Sequence, residues 1–171
     1  MKLSHHSSIV AACVLALAAL GTAAAQAGPA EDTARAETMI RTDDVVSAMG
    51  LLRSAANQNY APAQARLADM LRAAEAYPEA IELYRKAADQ NDPAGEVGLG
   101  RMYADGYGVQ RDPEKALELY RKAQARNHWQ AFDMLARAYR TGDLGLGRDL
   151  AKAQELEAQA KALMPAKDAS R

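Results

Sequence analysis

The residues with the most chemical potential lie between Arg101 and Ala123, in "RMYADGYGVQRDPEKALELYRKA". Gly106-x-Gly108 is how a phosphate-binding loop could begin, and Asp105, Arg111, Asp112, Glu114 and Lys115 crowd around it as acids and bases do in an active site. A dinucleotide fingerprint also needs a preceding strand and a third glycine in frame, and Arg111 stands where that glycine should be. Nucleophiles and bases are scarce elsewhere. Cys13, His5 and His6 fall within an N-terminal leader, which leaves His128 as the one later histidine, too few for a typical zinc site. Ser47, Ser54 and Ser170 have no nucleophile-elbow context. The many carboxylates sit at helix starts and outward faces, where capping and solubility account for them. The inventory predicts no catalytic residue, no metal site and no cofactor.

The leader occupies residues 1–25. Lys2 starts a short basic segment, "IVAACVLALAAL" is a continuous apolar run, and "GTAAAQA" offers Ala23-x-Ala25 and Ala25-x-Ala27 to a signal peptidase. The run is short for a membrane span, so the expectation is a cleaved signal, with cleavage near 25–27, and a periplasmic or secreted protein. The alternative is an N-terminal anchor in the inner membrane. Cys13 lies inside the apolar run rather than after it, which argues against a lipoprotein. Past the leader no wholly apolar helix remains, so no further membrane span is expected.

Of 171 residues 49% are apolar, but only 5% are aromatic and alanine dominates. Small residues suit close-packed helices and fit a strand-rich sandwich poorly. Lys2 is the one charged residue before position 26, so the cleaved chain carries 20 basic and 22 acidic residues, with no global pull toward nucleic acid. Without cysteine after the leader, stability must come from packing.

Internal repetition supplies the packing plan. "AIELYRKAADQND" from Ala80 lies over "ALELYRKAQARNH" from Ala116 with 8 identities in 13 positions. The same frame aligns "LADML" from Leu67, "LGRMY" from Leu99 to Tyr103, and "LARAY" from Leu135 to Tyr139, and "AQELEAQA" from Ala153 continues the second element. Ala80, Leu83, Tyr84 and Ala87 recur at helical spacing, as do Ala116, Leu119, Tyr120 and Ala123. Each unit is thus a helix, a turn and a second helix. One pair cannot bury its own stripes, so successive pairs must stack. Ala68, Gly100 and Ala136 share the position where paired helices should touch. In the turn, Gly106 suits a left-handed helix end, Gly108 continues the bend, and Val109 plugs it from below. Asp112 and Pro113 suit the start of the next helix.

"LGRMYADGYGVQRDPEKALELYRKA" resembles a Sel1-like repeat, a relative of the tetratricopeptide repeat: Leu-Gly-x-x-Tyr, a Gly-x-Gly-Val turn, Asp-x-x-Lys-Ala, then Tyr-x-Lys-Ala. The likeness is close at 93–128, good at 129–163 and partial at 61–92, where the turn is four residues shorter. It implies an all-α fold, a short right-handed α-solenoid over 44–163 with a half repeat at 44–60. Residues 26–43 are expected to be a linker or a degenerate helix, and 164–171 a disordered tail. In tetratricopeptide-like solenoids the first helix of each pair lines the concave face. Carried onto this chain, that pattern puts Asp69, Arg72, Arg101, Asp133, Arg137 and Arg140 on or near a mildly basic groove able to clamp carboxylates. Of Trp129 and Phe132, at least one is expected in the core.

The resemblance implies a non-catalytic scaffold that binds a partner protein or peptide in the bacterial envelope. A docking regulator or inhibitor of one envelope enzyme is the alternative, and a small cell-wall hydrolase a third. Self-association through the terminal repeats is a further expectation.

Overall fold

A computed structural model describes residues 28–166. The leader and residues 167–171 of the expected tail lie outside the described residues. Eight helices follow in order: α1 Pro29–Arg41, α2 Val45–Asn57, α3 Ala61–Ala73, α4 Tyr77–Asp89, α5 Pro93–Asp105, α6 Pro113–Ala125, α7 Trp129–Thr141 and α8 Leu150–Leu163. The segment read as a linker or worn helix is thus a full helix. It packs against α2 and buries Ala36 completely, so residues 45–57 have a first-helix partner.

The helix boundaries follow from local chemistry. The side chains of Asp44, Asp92, Asp112 and Asp149 each accept a hydrogen from a backbone N–H three residues on, filling one of the orphan donors of a first turn. Pro93 and Pro113 stand where a missing N–H is free of cost. α5 and α7 end on Gly106 (φ 76°) and Gly142 (φ 79°), in the left-handed region. The three-residue connections use Asp43, Asn59, Glu75, Asn91 and Asn127 at positive φ instead. The turn from α3 to α4 spans three residues, 74–76, whereas the turn from α5 to α6 takes seven, 106–112.

Consecutive helices form hairpins α1/α2, α3/α4, α5/α6 and α7/α8. The first helices also pack backbone to backbone in succession, α1 on α3, α3 on α5, α5 on α7, while the second helices stand further apart, α2 reaching α4 through the Arg53–Glu79 pair at 3.0 Å. A row packed tightly on one side and spread on the other must bend, so the first helices line the inner side of an α-solenoid.

One apolar core runs through all eight helices, from Ala36 to Ala160. Ala80 and Ala116 recur in it almost wholly buried, and so do Leu67, Leu99, Leu135 and Tyr103, while Tyr139 is half-buried against it; Ala153, at the matching position of α8, is buried too. Phe132 is buried and Trp129 half-buried. The largest fully buried side chain, Tyr84, lies against α5: a Cβ on Gly98 would come within 2.1 Å of its ring. A Cβ on Gly100 would come within 2.6 Å of the Tyr120 ring, the intra-pair contact expected from the repeat. Glycine in a helix costs roughly 0.5–1 kcal/mol relative to alanine, and here the two notches repay it by admitting two tyrosines from opposite sides. Gly108 (φ 67°) lets the long turn settle on α4, since a Cβ there would lie 2.8 Å from that of Tyr77.

Candidate functional site

A cleft of about 430 Å³ opens on the inner row, across α3, α5 and α7. Arg72, Arg101 and Arg137 line it, as do Tyr120, Met134 and Asp105. Three of the six groove residues read from the sequence therefore meet here. Asp69 faces inward instead: its Oδ1 accepts the Tyr84 hydroxyl hydrogen at 2.7 Å. Arg140 turns to α8 and pairs with Glu157. Asp133 is exposed and does not line the cleft. Asp133, Arg137 and Arg140 are spaced four and three residues apart and share one face of α7, so their neighbours part them: Arg137 lines the cleft beside α5, and Arg140 reaches Glu157 on α8.

Two residues that the repeat pattern did not single out for the groove complete its rim. Arg111 donates from Nε to the Ala104 carbonyl at 3.0 Å and reaches Asp143 at 3.5 Å, so it bridges the two long turns. Tyr107 stacks on Tyr77 with ring centroids 5.1 Å apart and lines the cleft edge.

Charge in the cleft is unbalanced. Arg111 and Asp143 answer each other, whereas Arg72, Arg101 and Arg137 form no ion pair among the described residues, and Asp105 is the one other acid lining it. Arg101 is held by its Nε against the Met134 sulfur at 3.4 Å, and the Arg72 Nε is buried without a hydrogen-bond partner among the described residues. Burial pushes the Tyr84 hydroxyl above the ordinary phenol range; the Asp69 charge adds to this and Arg72 opposes it. Burial likewise raises Tyr120, with Arg101 and Arg137 pulling down and Asp105 up.

A larger hollow, of about 700 Å³, lies beneath the turn 106–112, but most of its charged groups are already paired or capping. Asp112 caps α6 and Arg85 pairs with Glu82 at 3.1 Å. On the outer side, Glu96 is buried and held through both carboxylate oxygens by Arg126, at 2.9 and 3.0 Å; its burial raises its pKa and Arg126 restrains the rise. That pair ties α5 to α6. His128 sits half-buried before α7, with its ring against the Gln130 side-chain oxygen at 3.0 Å. Among the described residues no group of three or more His, Cys, Asp or Glu side chains is placed to hold a metal, and no helix is long and apolar enough to cross a membrane.

The model of the Sel1 repeat matches residues 61–92, 93–128 and 133–161. Solved structures agree. A putative Sel1 repeat protein from Klebsiella pneumoniae is 25% identical with a TM-score of 0.72, covering 83% of this chain and 72% of that one. A Sel1 repeat protein from Oxalobacter formigenes is 26% identical with a TM-score of 0.66, covering 90% and 65%. A protective antigen of uropathogenic Escherichia coli strains, displaying an SLR fold, is 27% identical with a TM-score of 0.66, covering 87% and 33%. An uncharacterised protein of Neisseria meningitidis serogroup B is 33% identical over 117 residues, 68% of this chain but 25% of that protein's length. Sel1 repeats are generally protein-interaction modules, and proteins built of them are typically non-catalytic scaffolds. With three repeats matched in register over more than half its length, the chain belongs to the Sel1 repeat family.

Proposed function

We propose that the protein is an exported, non-catalytic adaptor of the bacterial envelope that holds a partner protein or peptide in the cleft of its inner helix row. One observation carries the reading: Arg72, Arg101 and Arg137 line one concave cleft and none of them forms a salt bridge among the described residues, so positive charge there exceeds that of the acids beside it. Structural arginines in a small domain are ordinarily spent on internal pairs, as Arg126 and Arg140 are here. Planar guanidiniums left facing a groove are suited to bidentate recognition of a partner's oxygens. Export rests on the leader, from Lys2 through the apolar run to Ala23-x-Ala25.

The test is crosslinking in intact bacteria followed by capture from the periplasmic fraction, with the wild type and an Arg101→Ala, Arg137→Ala double variant compared side by side. Loss of a specific crosslinked partner from a variant that melts normally is the expected result. Equal capture by both proteins would remove the groove reading, and recovery of the protein from the cytoplasm alone would remove the envelope assignment.

A further inference from the structure

Two positions beyond the first-helix leucine, the repeats carry Asp69, Arg101 and Arg137 in turn. In the first unit the carboxylate receives the hydrogen of Tyr84. In the second the tyrosine persists as Tyr120, 3% exposed, while a guanidinium has replaced the acid. A guanidinium offers five donors and no acceptor, so neither Arg101 nor Arg137 can receive the Tyr120 hydrogen. The charges around that hydroxyl are these two arginines and Asp105, none of them hydrogen-bonded to it. Apart from the Arg111–Asp143 pair, the cleft therefore presents a buried phenol and three guanidiniums with hydrogens to give, against the one acid Asp105.

We propose that this cleft is a carboxylate subsite, in which an aspartate or glutamate side chain of a partner polypeptide accepts from Tyr120, Arg101 and Arg137, as Asp69 accepts from Tyr84 one repeat earlier. The proposal rests on the reading of the cleft as the partner groove and names the chemistry that enters it. Met134 fixes Arg101 by its Nε and leaves the two Nη groups for the ligand, so little side-chain freedom is lost on binding. A carboxylate is named because Asp69 is its counterpart one repeat earlier; Asp105 lowers the positive charge of the cleft without reversing it.

The probe is a fluorescent, end-blocked peptide alternating aspartate and alanine, with an asparagine counterpart and a phosphoserine counterpart, followed by anisotropy on the purified protein. The aspartate peptide is expected to bind about tenfold or more tightly than the asparagine one. Tyr120→Phe, which removes a hydroxyl without an internal partner, should weaken the aspartate peptide about fivefold at an unchanged melting temperature. Arg101→Asp rebuilds the arrangement of the first repeat; it should melt at or above the wild type and lose the peptide. Equal binding of the asparagine peptide, tighter binding of the phosphoserine peptide, or undiminished binding by Arg101→Asp would each overturn the proposal. If no acidic peptide binds but the crosslinked partner still depends on Arg101 and Arg137, the carboxylate assignment falls while the groove reading stands. A partner retained by the double alanine variant sinks both.

Discussion

The repeats at 61–92 and 93–128 each set a tyrosine at the same point of the second helix, and the two tyrosines meet different fates. Tyr84 is sealed. Its ring occupies the notch at Gly98, its hydroxyl is bound to Asp69, and it is 0% exposed. Tyr120 packs its ring instead against Gly100 of its own helix pair, and its hydroxyl ends at a cleft flanked by arginines. At the polar end the two differ by an acid exchanged for an arginine at the position of Asp69 and Arg101, which leaves a closed contact in one repeat and an open donor cluster in the next. Repeats lend themselves to this because the ring packing is carried by apolar contacts that the polar end can vary without disturbing.

The largest effect should come from filling the notches. Gly98→Ala is expected to destabilise by about 3 kcal/mol, the upper end of overpacking costs, although alanine is the better helix former by about 1 kcal/mol. Its new Cβ has no room against a ring that is buried on all sides. Gly100→Ala should cost less, about 1–2 kcal/mol, because the added Cβ clashes less closely with Tyr120 and that ring has the cleft beyond it. Thermal melts of the two variants rank them; equal costs would mean that both tyrosines are sealed alike.

Removing the hydroxyls tests the polar ends. Tyr84→Phe should cost about 1.5 kcal/mol, the low end for a hydrogen bond to a charged group, since the half-buried Asp69 regains some water. Tyr120→Phe should stay within about 0.5 kcal/mol of the wild type. Alkaline pH sharpens the contrast. Both hydroxyls are raised above the ordinary 10.0 in the folded state. Their contribution is fully present below about pH 10 and is lost as pH rises toward the folded values, because the unfolded chain releases the proton first. At pH 11 each should have lost roughly 1.4 kcal/mol. The cost of Tyr84→Phe should then nearly vanish, and Tyr120→Phe should become stabilising. Urea denaturation at pH 8 and pH 11 reads both, and parallel shifts in all three proteins would contradict the burial argument.

The fold was legible because it repeats. Leu67, Leu99 and Leu135, the alanines at 80, 116 and 153, and the glycine-containing turns recur in a frame that allows a helical stack and little else. The groove was legible only in part. Residues two past the leucine could be assigned to the inner side, but whether a side chain faces cleft or core depends on its neighbours in space. Asp69 was drawn inward by Tyr84, fifteen residues on, and Glu96 by Arg126, thirty residues on. Periodicity carries no record of such partners. Gly98 stayed out of view for a similar reason: its fit is to a ring of the preceding repeat, so it breaks the pattern of its own helix instead of extending it. A signal for the cleft was nonetheless in the sequence. Placing Asp69 and Arg101 in one column, with the tyrosine kept as Tyr84 and Tyr120, exposes the inversion of charge.

Arg137 and Arg140 carry the comparison to its smallest measurable effect. Both were candidates for the groove by helical spacing, yet Arg137 lines the cleft while Arg140 pairs with Glu157 across α7 and α8 on an exposed surface. An exposed pair of this kind contributes about 0–1 kcal/mol, so Arg140→Ala should lower the melting temperature slightly and leave binding of an aspartate peptide unchanged. Arg137→Ala should do the reverse, sparing stability and weakening the peptide. Two arginines three residues apart then separate fold from function by a double dissociation, which simple loss of positive charge cannot produce. If both substitutions weaken the peptide equally, its attraction is the diffuse field of the inner face, and the cleft geometry adds nothing to it.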